Sequence, residues 1–141
     1  MNMRRKAAVF VSALAMAVGS GVLTAAPATA DVPCSSNNLC LYKSTQFREP
    51  GLTTGSVADC HWLKDFQLTY PSNGIMSYRN NLPVKATLWY YYGSTWTNSA
   101  NWSGPHATIA PGGSSGDTTG GNPAFHVSDK VCTGDAKPWQ T

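Results

Sequence analysis

Four cysteines are the residues of this 141-residue sequence whose side chains could most readily do chemistry, either as metal ligands or as disulfides. They are Cys34, Cys40, Cys60 and Cys132. No two have the two-residue spacing of common zinc sites, whereas an even number of cysteines in an exported chain is typical of disulfides. Three pairings are possible. We favour Cys34 with Cys40, which closes a short loop, and Cys60 with Cys132, which ties the first half of the chain to its end.

The candidate acids and bases do not form a catalytic pattern. The three histidines are His61, His106 and His126, and none lies in a two-histidine metal motif or a nucleophile elbow. Cys60 precedes His61, but a disulfide-bonded cysteine cannot act as a nucleophile. Asp59 and Asp65 are close in sequence, and we interpret them as capping or surface-pairing residues rather than glycosidase carboxylates. We expect no enzyme activity, no metal and no cofactor.

The first 30 residues have the organisation of a secretory signal peptide. Residues 4–6 are basic, residues 7–23 form an apolar run, and residues 28–30 read Ala-Thr-Ala, a small-residue cleavage site. A retained membrane anchor is the alternative, and the cleavage site directly after an Ala-rich run disfavours it. We expect export to the extracellular space, with residues 31–141 as the mature protein.

The charge of the mature chain limits its partners. Three of the ten basic residues lie in the signal segment and none of the seven acidic ones does, so residues 31–141 carry seven of each and are formally neutral. The basic side chains are scattered singly, without the run that a phosphate backbone or an anionic membrane surface attracts. We therefore expect no nucleic acid and no membrane as partner. We also expect the protein to be a monomer.

The centre of the mature chain predicts two β-strands joined by a turn. Residues 75–79 and 84–92 are rich in β-forming residues, and Asn-Asn-Leu-Pro at 80–83 is turn chemistry. Alternation places one set of side chains on one face of the second strand and the other set on the opposite face. The first set is Leu88, Tyr90 and Tyr92, and the second is Trp89 and Tyr91.

The two halves of the mature chain have a similar order of predicted short strands and loops. The first half contains predicted strands at 39–43, 51–57 and 75–79, with one helical turn within 58–66. The second half contains strands at 84–92, 102–110 and 124–128, the second broken by Gly104-Pro105, with loops at 93–101 and 111–122. This pattern predicts one all-β domain, a sandwich of two Greek keys at about 34–82 and 83–132 with a short C-terminal tail.

Two stretches of the first half resemble a known family. CSSNNLCLYKSTQF at residues 34–47 and SNGIMSYRNN at residues 72–81 are similar to the βγ-crystallin-type domains of secreted actinobacterial proteins, in particular the streptomycete metalloproteinase inhibitor family. The resemblance implies a βγ-crystallin-like, disulfide-tied sandwich. It also implies a secreted proteinase inhibitor, with metalloproteases as targets, that acts by tight binding of a rigid domain to a secreted protease.

The resemblance also brings a calcium motif, which is degenerate here. The oxygen ligands of calcium-binding members correspond to the stretch that contains Ser72, Asn73 and Ser77, but Met76 stands where a ligating hydroxyl is expected. A thioether is a poor ligand for a hard cation. We disfavour calcium binding and expect Asn73 and Ser77 to tie the turn between strands.

The protease contact is predicted at residues 93–102, where Trp96 and Trp102 offer apolar anchors among small polar residues, next to Tyr91. The alternative is that these rings fill the core. A second class of function is a cell-wall or carbohydrate-binding module, in which Trp89, Tyr90, Tyr91, Tyr92, Trp96 and Trp102 form a stacking platform. A third is a secreted antimicrobial, killer-toxin-like protein, which the neutral charge disfavours.

Overall fold

The computed structural model describes residues 30–140, and the predicted signal peptide lies outside the described residues apart from Ala30. The strands are β1 (Leu39–Ser44), β2 (Arg48–Thr54), β3 (Cys60–Trp62), β4 (Ser77–Asn80), β5 (Ala86–Tyr91), β6 (Trp102–Ile109), β7 (Ser114–Ser115) and β8 (Lys130–Thr133). One α-helical turn, α1 (Ala124–Val127), and two turns of 3-10 helix, Leu63–Phe66 and Ser99–Asn101, complete the elements. The prediction of an all-β fold is confirmed.

The strands form two antiparallel four-stranded sheets. The first sheet has the order β2-β1-β4-β7 and the second the order β3-β8-β5-β6. The short strand β3 belongs to the first half of the chain but pairs with β8, and β7 of the second half pairs with β4. Each half therefore contributes an edge strand to the other half's sheet, so neither sheet is complete without both halves.

The main core lies between the two sheets. Leu39 and Leu41 of β1 face Leu88 of β5 and Val131 of β8 across this layer, as the alternation of side chains along a strand requires. The members of the core are Leu39, Leu41, Leu52, Leu63, Leu68, Ile75, Leu82, Ala86, Leu88, Ile109 and Val131. Burial of this aliphatic surface is the main driving force for folding.

The two ends of the described chain cover the outer faces of the sheets. Over the first sheet, the Tyr42 hydroxyl donates a hydrogen bond of 2.9 Å to the Val32 carbonyl. Over the second sheet, the tail brings Trp139 against Trp89, with ring centroids 5.6 Å apart in an edge-to-face arrangement. The tail after Cys132 is therefore part of the packed domain.

Both favoured disulfides are present. Cys34 bonds Cys40 of β1, and Cys60 bonds Cys132 across the β3–β8 pair, in which the two residues are register partners. The first closes a loop of sequence separation 6 and the second one of separation 72. Within residues 30–140, no helix is long and apolar enough to cross a membrane.

The predicted strand at 124–128 is wrong, since Ala124–Val127 forms the helical turn α1. The Asn122 side chain accepts a hydrogen bond of 2.9 Å from the Ala124 amide, and Pro123 presets the helical backbone at the start. The sequence pattern also does not predict β8, where only a fastening of the tail by Cys132 is expected. A segment of four or five residues is too short for periodicity to distinguish a strand from a helical turn.

The predicted alternation along β5 holds only in part. Trp89 and Tyr91 share the outer face and Leu88 is buried, but Tyr90 and Tyr92 on the face of Leu88 are exposed. The register shifts at this point, because Leu88 pairs with Ala107 whereas Tyr90 pairs with Ser103. The irregularity falls at Gly104-Pro105, where the sequence predicts a break in the strand.

Candidate functional site

The most exposed loop of the second sheet connects β5 to β6, and we name residues 93–101 the Trp96 loop. Asn101 closes its ends, since its carbonyl accepts a hydrogen bond of 3.1 Å from the Tyr92 amide and its side chain donates one of 2.8 Å to the Thr95 carbonyl. The Asn98 side chain accepts a further bond of 3.0 Å from the Ala100 amide. The loop backbone is thus fixed by its own hydrogen bonds while its side chains face solvent.

The three predicted contact residues are brought together, but they differ in exposure. The Tyr91 and Trp102 rings pack with centroids 5.0 Å apart, and the Trp102 indole donates a hydrogen bond of 2.6 Å to the Trp96 carbonyl. Trp96 is 43% exposed, whereas Trp102 is 6% exposed and belongs to the buried cluster on the outer face of the second sheet. Trp102 therefore fits the alternative interpretation, a core side chain, and Trp96 is the ring that can meet a partner.

A buried lysine lies beneath the Trp96 loop, although the sequence pattern places it among the scattered surface charges. The Lys130 ammonium lies 4.7 Å from the ring centroid of Trp62, 5.1 Å from that of Trp96 and 5.5 Å from that of Trp102. It also donates a hydrogen bond of 2.9 Å to the Pro138 carbonyl. Burial lowers the pKa of Lys130 from its usual range, because a charge is less stable away from water.

Lys130 has a signal in the sequence, although a weak one. It lies two residues before Cys132, so in a strand both side chains project to the same face, the one that the disulfide and the tryptophans share. Because the sequence pattern does not predict β8, it does not reveal this shared face.

Two exposed tyrosines lie on the other face of the second sheet. The Tyr90 ring stacks on His106 with centroids 5.5 Å apart and an interplanar angle of 4°. Tyr92 is 60% exposed, and its hydroxyl donates a hydrogen bond to the Ala100 carbonyl. Trp89 and Trp102 are buried and Tyr90 and Tyr92 face away from Tyr91, so the six rings do not form one stacking platform.

The sequence segment that contains this loop has few charged residues. Between Lys85 and Asp129 the only ionisable acid or base other than histidine and tyrosine is Asp117. Exposed Tyr and Trp rings with Ser, Thr, Asn and Gly between them are typical of antibody-type recognition loops, in which rigid rings supply contact area and small polar groups adaptable hydrogen bonds. The Trp96 loop has a composition of this kind.

Asp129 lies beside the C-terminal end of β5, where its carboxylate accepts a hydrogen bond of 2.8 Å from the Tyr91 amide. Burial raises the pKa of Asp129, and the bond from Tyr91 partly offsets this effect. The bond fixes the strand end from which the loop departs, which is a structural role.

Two residues of the degenerate calcium motif, Asn73 and Ser77, make hydrogen bonds that connect neighbouring segments of the fold. The buried Ser77 hydroxyl donates to the Ser44 carbonyl at 2.7 Å and accepts from the Phe47 amide at 3.1 Å. The Asn73 carbonyl accepts a hydrogen bond of 2.7 Å from the His126 ring. Ser72 is exposed beside a polar pocket that is also lined by Lys43 and Glu49. Among residues 30–140, no group of three or more His, Cys, Asp or Glu could hold a metal ion.

His61 lies next to a disulfide rather than a free thiol. Its ring is 4.0 Å from the Asp59 carboxylate and packs edge-on against Phe66. Cys60 is bonded to Cys132, so no thiolate is available beside this histidine.

No protein-family model, curated protein or solved structure matches this chain. The motifs of the first half and the geometry of the Trp96 loop therefore carry the functional proposal.

Proposed function

We propose that this protein is a secreted proteinase inhibitor, directed at metalloproteases, which binds its target through the Trp96 loop. The observation that supports this most is the exposed Trp96 ring on an uncharged loop whose backbone is hydrogen-bonded to itself. Aromatic anchors at the centre of an interface supply most of its binding energy. The metalloprotease class comes from the family resemblance of residues 34–47 and 72–81.

The sheet topology supports the βγ-crystallin-like interpretation. In each half the fourth strand lies beside the first, with the orders β2-β1-β4 and β6-β5-β8, as in a Greek key. The third strand of each half pairs in the opposite sheet. We therefore infer two interlocked Greek keys that share one core.

Rigidity is the physical basis of the proposed inhibition. Two disulfides brace the domain, and hydrogen bonds within the loop hold the loop backbone in one conformation before binding. A loop that is already ordered loses less conformational entropy on association, so more of the contact energy contributes to affinity. The predicted signal peptide and the disulfides both fit an extracellular site of action.

The test is a titration of oxidised protein, residues 31–141, into a panel of thermolysin-type metalloproteases with serine proteases as controls. We expect saturable inhibition of the metalloprotease class. Trp96→Ala should weaken inhibition by about 2 kcal/mol, roughly 30-fold, because it removes the central anchor. Tyr70→Ala, at an exposed ring outside the loop, should leave inhibition unchanged. Failure to inhibit any protease of the panel would reject the proposal.

A carbohydrate-binding function is the second candidate, supported by the exposed Tyr92 and by Tyr90 stacked on His106. Aromatic faces of this kind can stack on sugar rings. Retention on peptidoglycan or chitin that is lost in Tyr92→Ala but kept in Trp96→Ala would favour this candidate over inhibition. Equal retention of wild type and both variants would remove it.

A further inference from the structure

We propose that Lys130 and the C-terminal tail hold the Trp96 ring in its binding orientation, so that the tail controls the exposed ring of a recognition loop remote from it in sequence. This inference deepens the proposed function and rests on it. Lys130 is a positioning residue in this scheme, because it acts on a partner only through Trp96.

The first step is that Lys130 is the contact shared by the loop and the sheet. Its ammonium lies 5.1 Å from the Trp96 centroid and 4.7 Å from that of Trp62, which belongs to β3. Cations over tryptophan faces are attracted by the ring quadrupole, and the attraction increases where water is excluded. At 1% exposure, Lys130 is such a desolvated cation. The attraction to Lys130 therefore holds the exposed Trp96 ring against the second sheet.

The second step is that the tail holds the ammonium in place. The Pro138 carbonyl accepts its hydrogen bond at 2.9 Å, and Pro138 is itself buried. Trp139 packs edge-on against Trp89, and the Lys137 ammonium lies 5.6 Å from the centroid of the same Trp89 ring. These contacts fasten the tail to the outer face of the second sheet.

The position of the tail is coupled to the orientation of the Trp96 ring through Lys130. A buried ammonium is costly unless its hydrogen bonds and charge are compensated. Displacing the tail removes the Pro138 carbonyl, which favours a rearrangement of Lys130 towards water and away from Trp96. The hydrogen bond between the Trp96 carbonyl and the Trp102 indole holds the backbone of the loop, but it does not fix the orientation of the Trp96 ring.

The experiment is fluorine NMR of protein labelled with 5-fluorotryptophan, which has five tryptophan signals. Trp96→Phe assigns the Trp96 signal. In Lys130→Met, which keeps an unbranched side chain one atom shorter but removes the charge, we expect the Trp96 signal to shift towards that of the free amino acid and to narrow. Lys130→Arg should restore most of the native shift, because it restores the cation.

The tail is tested in the same way with Trp139→Ala, which should move the Trp96 signal in the direction seen for Lys130→Met. Gln140→Ala, at an exposed position of the same tail, is the matched control and should leave the signal in place. Chemical denaturation of each variant shows that the comparison is made between folded proteins. If Lys130→Met does not fold, Trp139→Ala tests the link by itself, and an unchanged Trp96 signal in that variant would overturn the positioning role.

Inhibition assays separate this inference from the proposed function. We expect Lys130→Met to weaken inhibition about 30-fold, the size of a desolvated cation–ring contact, and no more than Trp96→Ala does. An unchanged Trp96 signal in both Lys130→Met and Trp139→Ala would overturn the positioning role even if the protein inhibits. A shifted signal in a protein that inhibits no protease would keep the positioning role and reject the proposed function.

Discussion

At the scale of single residues, buried polar side chains determine how the strands connect. The Asn80 amide group donates to the carbonyls of Val84, Ile109 and Ala110, and its side-chain oxygen accepts from the Leu82 amide. Asn80 is fully buried, whereas the adjacent Asn81 is exposed and donates to the carbonyls of Cys34 and Ser35. One asparagine thus joins β4 to the turn before β5 and to the end of β6.

Asn80→Asp is expected to destabilise the fold by about 3 kcal/mol or more, because a carboxylate oxygen would replace the donor that faces three carbonyls in a buried place. Asn81→Asp is the control, since water can solvate an exposed carboxylate, and should cost about 1 kcal/mol or less. Both values come from chemical denaturation at neutral pH. Equal losses for the two variants would contradict the role assigned to Asn80.

Ser77→Ala should cost about 1–3 kcal/mol, because it leaves the Phe47 amide without its partner in the part of the chain where β1 turns into β2. Ser72→Ala, at an exposed position of the degenerate calcium motif to which Ser77 also belongs, should change stability by less than about 0.5 kcal/mol. Chemical denaturation measures both changes, and equal losses would show that the Ser77 hydroxyl does not hold this turn.

The degenerate calcium motif at residues 72–77 also allows a test of calcium binding. We expect the melting temperature to stay constant as calcium is raised to millimolar levels, because Ser77 is engaged with the backbone and Met76 replaces a ligand. A ligand that binds the folded state would raise the melting temperature as its concentration increases. A rise that Ser77→Ala abolishes would show that the degenerate motif still binds calcium.

At the scale of elements, the turn before β4 packs directly against α1. The Ile75 amide donates a hydrogen bond of 2.7 Å to the Phe125 carbonyl, and Gly74 adopts a positive φ of 78°. A Cβ on Gly74 would lie 2.5 Å from the His126 Cα and 2.6 Å from the Phe125 carbonyl oxygen. The helical turn that the sequence predicts as a strand is therefore the element that requires glycine here.

Gly74→Ala should destabilise the protein by about 2–4 kcal/mol, the sum of backbone strain and of overpacking against α1. Gly112→Ala is a matched control, because Gly112 has a similar φ of 74° and a Cβ placed on it would have no atom within 4 Å. It should cost about 1 kcal/mol, the strain alone. Equal costs for the two variants, measured by denaturation, would show that α1 does not pack as described.

At the scale of the whole molecule, the exchange of β3 and β7 between sheets makes the two halves interdependent. The disulfide from Cys60 to Cys132 fastens β3 to β8 within the exchanged part of the second sheet. Separation of the halves would expose the common core and the unpaired edges of both sheets. We therefore expect the domain to unfold in one cooperative transition.

Replacing Cys60 and Cys132 together by Ala should cost about 4 kcal/mol by the loop-entropy relation, since their loop spans 72 residues. The same change at Cys34 and Cys40, a loop of separation 6, should cost about 2 kcal/mol. The two double variants serve as controls for each other in equilibrium denaturation. A larger loss for the short loop would show that local packing, not chain entropy, dominates.

The charge distribution predicts an association that is insensitive to salt. The stretch between Lys85 and Asp129 has a single carboxylate, Asp117, so an interface formed there gains little from long-range charge steering. Raising the ionic strength from about 0.05 to about 0.5 M should change the association rate less than about threefold. A steep decrease would place the contact elsewhere on the molecule.

The sequence by itself determined the class of the fold and much of its framework. Short β-rich runs and turn residues located β1, β5 and β6 to within about two or three residues, because these signals are local. The favoured pairing of the four cysteines is confirmed. Gly104-Pro105 predicted a break because neither residue suits the interior of a strand; β6 continues through both residues, and only its register with β5 shifts there.

Only the tertiary structure decided which of several similar residues carries each role. Sequence spacing cannot distinguish buried Asn80 from exposed Asn81, or core Trp102 from exposed Trp96, because burial depends on contacts between distant segments. The exchange of β3 and β7, the tail on Trp89 and the placement of Lys130 beneath Trp96 all arise from such contacts. Their physical cause is packing around a shared core, which no local pattern encodes.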